Sequence, residues 1–304
     1  MNKVALRSLL CLLALFLATA VQAQSLEPRS YSNSPVALNF LVAGYAYAEG
    51  KIAFDPTLPI VDAQFDTHTG ILAYARSLDA WGKSAKFDAV LPFSSFSGNA
   101  LVGSQPRQRE VSGFNDPRFR FSMNFYGAPA LSLEDFAAYR QDVIIGASLQ
   151  VAAPLGRYDS SKLINLGNNR WSFKPELGIS KAWGTWVLEI APSATFYTDN
   201  ANFNEGGRFA QAPLYAMETH LVYIFTPGMW LSLDGTYFTG NRTSLNGAWA
   251  DNMQANTRIG LTFALPVDRS SSLKFYASSG TSTRTGSSFD AVGFAWQYRW
   301  SGGF

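Results

Sequence analysis

Large apolar side chains alternate with small or polar ones along much of the chain. The clearest case is residues 290–304, where Val292, Phe294, Trp296, Tyr298 and Trp300 are separated by small or polar residues. A period of two residues is the pattern of a β-strand. An exposed apolar edge of this kind would promote aggregation of a soluble sheet, so we expect the aromatic face to contact lipid.

The same two-residue period recurs in eleven further segments. The twelve segments are residues 37–48, 65–77, 84–94, 118–125, 143–155, 171–180, 186–196, 215–225, 229–238, 254–265, 272–279 and 290–304. Most of them have about the length that a tilted strand needs to cross a bilayer. The pattern therefore predicts an all-β fold, a transmembrane antiparallel up-and-down β-barrel of about twelve strands.

The connections between these segments alternate between short and long. Short turns are predicted at residues 79–82, 181–184, 226–228 and 266–271, and longer loops at 49–64, 97–113, 156–170, 198–213 and 239–251. This alternation is typical of periplasmic turns and extracellular loops. The one exception is residues 127–142, a long connection on the predicted periplasmic side that could contain a short helix.

The beginning of the chain has the features of a secretory signal peptide. Lys3 and Arg7 precede an apolar stretch, Leu9–Ala18, and residues 21–23 form a small-residue cleavage site. We predict a signal peptide at residues 1–23 and a barrel domain at residues 24–304, exported to the outer membrane of a Gram-negative bacterium. The single cysteine, Cys11, lies within the signal, so no disulfide is expected.

Charge and the C-terminal aromatics bear on the expected partners. Residues 24–304 contain 22 basic and 22 acidic residues, and this neutral balance gives no indication of nucleic-acid binding.

Trp296, Tyr298, Trp300 and Phe304 resemble the C-terminal signal that marks bacterial barrels for assembly. We therefore expect outer-membrane lipid as the surroundings, and the barrel-assembly machinery and periplasmic chaperones as partners during biogenesis.

Several short segments resemble those of one family of proteobacterial outer-membrane β-barrel proteins, called the putative meta-pathway phenol-degradation or "transporter" family. These segments are Gly113–Arg118, Pro154–Tyr158, Asn165–Trp171, Lys174–Gly178 and Tyr197–Asp199. The resemblance extends over nearly all of residues 24–304. It implies a barrel that admits aromatic or other hydrophobic compounds, but no motif specifies a substrate or a binding residue.

Charged and polar residues fall on the face opposite the aromatics. In hydrocarbon, each Arg or Lys would cost roughly 2–4 kcal/mol at the bilayer midplane, so we predict that they line the lumen. They could form ion pairs across neighbouring strands and fill a narrow barrel, or line a path that selects solutes. The predicted lumen-lining residues are Lys86, Asp88, Arg118, Arg120, Gln150, Lys174, Glu176, Glu189, Glu218, His220, Asp234, Arg258, Lys274 and Arg299.

The sequence gives little indication of catalysis or of a cofactor. His68 and His220 are the two histidines, and neither is followed two residues later by the serine of the outer-membrane phospholipases. We expect His220 to pair with Glu218 and fill the lumen. Residues 199–206 resemble a calcium loop, but Ala210 occupies the position of the closing glutamate.

We therefore predict a protein without a cofactor, a metal or enzymatic activity. The expected function is passive passage of small, hydrophobic or aromatic compounds. A structural or interaction barrel without transport is the first alternative, and a lipid hydrolase is the second.

Overall fold

The computed structural model describes residues 27–53, 60–102, 105–162, 164–204 and 206–301. The predicted signal peptide and Phe304 lie outside these ranges. Within them, no helix has the length and hydropathy needed to cross a membrane. The strands are β1 (Leu38–Ala53), β2 (Ile60–Ala80), β3 (Lys83–Val102), β4 (Gln105–Phe114), β5 (Arg118–Tyr126), β6 (Val143–Ala152), β7 (Ser172–Trp183), β8 (Trp186–Tyr197), β9 (Asn200–Phe203), β10 (Gly207–Gln211), β11 (Leu214–Thr226), β12 (Met229–Gly240), β13 (Thr243–Leu245), β14 (Ala248–Trp249), β15 (Gln254–Pro266), β16 (Ser271–Thr283) and β17 (Gly286–Ser301).

Thirteen strands form one antiparallel sheet that closes on itself. β1 pairs with β17 on one side and with β2 on the other, and β2 pairs with β3. β4 pairs with residues 93–102 of β3, and β5 pairs with residues 85–90. β4 and β5 therefore form one barrel strand that is interrupted at residues 115–117. The predicted fold, an up-and-down antiparallel barrel of twelve strands, is confirmed.

The alternation along the sequence corresponds to the two faces of the barrel wall. In β17, Val292, Phe294 and Trp296 are 53%, 47% and 38% exposed, whereas the intervening Ala291 and Ala295 are half-buried. Large apolar side chains are likewise exposed on other barrel strands, among them Leu72, Phe121, Leu177 and Leu233. An apolar outer band rich in aromatic residues is the surface that a barrel presents to lipid.

One of the short turns has the backbone conformation of a two-residue hairpin with two positive φ values. In the turn between β2 and β3, Trp81 and Gly82 have φ values of 55° and 76°, and Asp79 Oδ1 accepts a hydrogen bond of 2.7 Å from the Gly82 amide. Two consecutive positive φ values match the twist of the flanking strands. We call this end of the barrel the short-turn end and the opposite end the long-loop end.

Several segments predicted as long loops are instead β-structure. β1 and β2 continue beyond the predicted loop boundary, with Glu49 opposite Asp66 and Gly50 opposite Phe65, and β3 and β4 continue in the same way. The short strands β9, β10, β13 and β14 form a second sheet, in the order β14-β13-β10-β9. The sequence pattern missed these strands because neither of their faces contacts lipid, so the two-residue period is weak. The long 127–142 connection contains the predicted short helix, a 3-10 helix at Asp135–Ala138.

An apolar cluster lies at the long-loop end. Phe65 packs against Phe96 and Phe289, with ring centroids 6.1 and 6.0 Å apart, and Phe203 stacks on Phe209 at 5.1 Å. All five rings are less than 9% exposed. We call these five residues the outer aromatic cluster.

Three of the segments that carry the family resemblance meet at the interruption between β4 and β5. Asp116 accepts hydrogen bonds from the Gly156 amide at 2.9 Å and from the Asn168 amide at 2.8 Å. A Cβ atom on Gly167 would lie 2.7 Å from the carbonyl carbon of Gly156, so both positions require glycine. These motifs therefore hold the 153–171 connection against the barrel wall.

Candidate functional site

The residues that precede β1 run inside the barrel. We call residues 27–37 the lumenal segment. The Arg29 amide donates a 2.6 Å hydrogen bond to Glu189 on β8, and Asn124 Nδ2 on β5 donates to the Tyr31 carbonyl at 3.0 Å. Asn33 Nδ2 donates to the Pro129 carbonyl at 3.2 Å. The segment is thus held by the inner faces of the strands and by the 127–142 connection.

Tyr31 fits into a gap that two glycines leave in the wall. A Cβ atom on Gly178 would lie 2.1 Å from Tyr31 Cε2, and one on Gly146 would lie 2.7 Å from Tyr31 Cδ1. Gly146 and Gly178 are direct partners across β6 and β7. The Tyr31 hydroxyl donates to Glu176 at 3.0 Å. This contact was not predicted, although paired inward glycines on adjacent strands are a signal of close approach by another group.

Glu27 lies among four cationic side chains. Its Oε2 atom is 2.8 Å from Arg120 Nη1, and Arg120 Nε is 3.1 Å from Asp88 Oδ2. Lys86, Arg118 and Lys274 also lie within electrostatic range of the Glu27 carboxylate. We call Lys86, Arg118, Arg120 and Lys274 the basic cluster.

A second polar network fills the lumen on the side of β7, β8 and β11. Lys174 Nζ is 3.0 Å from Glu176 and 2.9 Å from Glu218. The Lys174–Glu218 pair spans the intervening strand β8, because β7 and β11 both pair with β8. We call the half of the lumen that contains these paired charges, next to β7, β8 and β11, the polar half.

His220 has a different close partner from the one expected. Its Nδ1 atom is 2.7 Å from Asp234 Oδ1, whereas its Nε2 atom is 4.0 Å from Glu218. The reason is register: His220 lies opposite Asp234 across β11 and β12, while Glu218 is two residues away on the same strand. Ser232 and Thr262 also donate to Asp234, at 2.5 and 2.6 Å.

A cavity of about 1290 Å³ lies on the other side of the lumenal segment. It extends from the turn residues 227–228 and 266–271 at the short-turn end to Phe289 of the outer aromatic cluster. One wall consists of small and apolar side chains from β1, β2 and β17, including Val42, Ala46, Ala75 and Ala295. The basic cluster lines the cavity on both sides of this wall, from β3 and β5 on one side and from β16 on the other.

The fourteen residues predicted to line the lumen fall into two groups in the structure. Seven of them line the cavity: Lys86, Asp88, Arg118, Arg120, Arg258, Lys274 and Arg299. Gln150, Lys174, Glu176, Glu189, Glu218, His220 and Asp234 belong to the polar half, where they contact one another or the lumenal segment. Arg299 lies at the short-turn end, where it donates to the Arg269 carbonyl.

The chain is similar to solved outer-membrane barrels. An outer membrane channel from Pseudomonas putida F1 superposes with a TM-score of 0.79 at 20% identity, covering 91% of this chain and all of the other. The transport unit of the autotransporter AIDA-I from Escherichia coli gives a TM-score of 0.55 at 8% identity, covering 94% and 96% of the two chains. At these identities the similarity establishes the outer-membrane barrel fold.

A third similar structure is the TodX monoaromatic hydrocarbon channel, with a TM-score of 0.51 at 10% identity over 91% of this chain and 93% of the other. Comparison with curated protein sequences gives no significant match. The sequence profile described as "Putative MetA-pathway of phenol degradation" matches residues 50–298. This match covers most of the chain and agrees with the motifs that meet at Asp116, so the chain belongs to that family of outer-membrane β-barrels.

Proposed function

We propose that the protein is an outer-membrane channel for the passive passage of small hydrophobic or aromatic compounds. The observation that carries the proposal is the cavity beside the lumenal segment. Its small-residue wall, with Val42, Ala46 and Ala75, offers apolar surface inside a barrel whose lumen is otherwise polar. Ligand sites are generally concave and mostly apolar, with a few polar groups that orient the ligand.

The comparisons support the same class of solute. The family description refers to phenol degradation, and one structure of similar fold is named as a monoaromatic hydrocarbon channel. A barrel of twelve strands has an interior between the filled barrels of eight strands and the aqueous pores of sixteen. With the lumenal segment inside it, such a barrel favours selective passage over a general pore.

A role as a lipid hydrolase is less well supported than passage. Hydrolysis by a serine requires a nucleophile that is hydrogen-bonded to a histidine base. In the polar half of the lumen, Ser232 Oγ donates to Asp234 rather than to His220. We therefore propose that the protein acts without covalent chemistry, and that its partners are lipid, the assembly machinery and the solute.

Uptake by cells tests the proposal. Cells with an intact outer membrane, with and without the protein, would be given radiolabelled phenol at low concentration, and single-channel conductance would be recorded from the purified barrel in planar bilayers. We expect faster uptake with the protein and a small conductance. Unchanged uptake over a panel of monoaromatic compounds would favour a structural or interaction role, and a large unselective conductance would contradict a narrow lumen.

A further inference from the structure

The charge of the cavity wall differs from that of the chain as a whole. Residues 24–304 contain equal numbers of basic and acidic residues, yet eight basic and four acidic residues line the cavity. Asp116, one of the four acids, is already held by amides of the 153–171 connection. The residues that line the cavity therefore carry an excess of positive charge.

Most of the basic cluster lacks a close carboxylate. Both nearby acids, Glu27 and Asp88, contact Arg120. Among the ion pairs of the described residues, none within 4.0 Å involves Lys86, Arg118 or Lys274. Cationic groups away from bulk water are stabilised by a hydrogen-bonded anion. The cluster is thus able to accept a second carboxylate.

The position of the cluster favours an anion with an apolar body. Lys86 and Arg118 come from β3 and β5, and Lys274 comes from β16, so the cations face the cavity from two sides. The intervening strands β2, β1 and β17 supply the small apolar wall. A molecule with a carboxylate at one end and a small ring at the other could contact both surfaces at once.

The lumenal segment already places one carboxylate in this cluster. Glu27 is bound by Arg120 and lies within range of the other three cations. The Ser30 carbonyl accepts a hydrogen bond from Lys86 at 3.4 Å, so the same segment contacts the cluster twice. A solute carboxylate that used these donors would compete with Glu27 for them.

We propose that Lys86, Arg118, Arg120 and Lys274 form a carboxylate-binding site for small aromatic monocarboxylates, and that the solute competes with Glu27 for this site. The proposal rests on the proposed function, because it specifies the solutes that the cavity accepts. It also assigns the lumenal segment a role beyond filling the barrel. Glu27 neutralises part of the cluster when the cavity holds no solute.

Benzoate and benzamide are suitable probes, because they have nearly the same shape and differ in charge. Binding of each to the folded full-length barrel in detergent would be measured by calorimetry, and flux of each into proteoliposomes would be measured in parallel. We expect benzoate to bind more tightly than benzamide. The double variant R118Q/K274Q should weaken benzoate binding by about tenfold or more and leave benzamide binding unchanged.

Two further variants make the test specific. E27Q should strengthen benzoate binding relative to benzamide, because the competing carboxylate is gone. K83Q is a matched control, since Lys83 is an exposed residue at the start of the same strand as Lys86, and it should bind both probes as the wild type does.

The binding and flux results separate the two proposals. Equal binding of benzoate to the wild type and to R118Q/K274Q, or no benzoate binding at all, would overturn the carboxylate site, even if benzamide passes through the barrel. Charge-dependent binding of benzoate without flux of either probe would support the site and contradict the channel function.

Discussion

At the scale of single residues, the lumenal segment depends on the absence of side chains at Gly146 and Gly178. Both glycines lie against the Tyr31 ring, where a Cβ atom would overlap it. Protein interiors are packed at high density, so neighbouring atoms cannot easily move to relieve such an overlap. The position of the Tyr31 ring therefore depends on the absence of side chains at Gly146 and Gly178 as well as on the hydrogen bond from Tyr31 to Glu176.

The first prediction follows from this contact. Replacing Gly178 by Ala should displace Tyr31, loosen the lumenal segment and raise the single-channel conductance of the purified barrel. In the Y31A background, the same Gly178→Ala change should have little further effect, because the clash has been removed. Gly235→Ala is the control, since a Cβ atom there meets nothing within 4 Å. If the Gly178→Ala variant had the same conductance as the wild type, the packing of Tyr31 against Gly178 would be contradicted.

The second prediction concerns the two faces of β2. Leu72 is 53% exposed on the outer face, and its neighbour Ala73 lines the cavity. Leu72→Arg should destabilise the barrel folded in lipid vesicles by about 2–4 kcal/mol near the midplane, whereas Ala73→Arg should cost much less. Urea titrations of the two variants measure the difference. Equal losses would show that the register of β2 is wrong.

The two-residue period assigned the charged side chains to the inner face, because charge is costly in lipid. It did not predict how they pair. Thr262 illustrates the limit, since the alternation identifies it as an inward polar residue, but its 2.6 Å hydrogen bond to Asp234 joins β15 to β12. The His220–Asp234 contact was missed for the same reason, because register between strands is not readable from one strand.

At the scale of secondary-structure elements, the interruption between β4 and β5 is held by a buried carboxylate. Asp116 accepts two backbone hydrogen bonds from the 153–171 connection, and it is 1% exposed. Leaving buried donors without a partner costs about 1–3 kcal/mol. Asp116→Ala should therefore destabilise this junction by an amount in that range.

Limited proteolysis and thermal unfolding would measure the effect of Asp116→Ala. We expect faster cleavage within residues 153–171 and a lower unfolding temperature. Asp159→Ala is the matched control, because Asp159 is exposed and its carboxylate accepts hydrogen bonds only locally, from Ser161 in the same connection, among the hydrogen bonds described. If both variants were cleaved at the same rate as the wild type, the junction would contribute nothing to stability.

The last strand carries the predicted assembly signal. Deleting Phe304, or replacing Trp300 and Phe304 by Ser, should reduce the amount of heat-modifiable, folded barrel in outer-membrane fractions. The reason is the loss of aromatic residues at the lipid interface and of the terminal recognition feature. The control is Trp249→Ser, because Trp249 is exposed and lies in β14, outside the barrel sheet. Normal amounts of folded barrel in the C-terminal variants would refute the signal.

The barrel strands could be predicted because lipid on one face and lumen on the other impose a strong two-residue period. The long hairpins could not, because outside the bilayer this constraint is absent and residues such as Glu49 and Asp66 pair without it. The lumenal segment was also missed. Residues 27–37 have no periodicity, and their partners on the strands include Ser77, Lys86 and Glu189, which lie 42, 56 and 160 residues along the chain from the groups they contact.

At the scale of the whole molecule, the lumen is divided into two unequal parts. One side of the lumenal segment is packed against β5 to β8 through hydrogen bonds and ion pairs. The other side borders the cavity, which reaches the short-turn end. We propose that solutes pass through this cavity rather than around the barrel or through the polar half.

The most direct test of this claim narrows the cavity and leaves the rest of the barrel unchanged. Uptake of radiolabelled phenol would be compared in cells that contain equal amounts of wild type, Ala46→Phe or Ala43→Phe. Ala46 lines the cavity, whereas Ala43, on the same strand, is exposed on the outer face. We predict a marked loss of uptake with Ala46→Phe and wild-type uptake with Ala43→Phe. Wild-type uptake with both variants would contradict passage through the cavity.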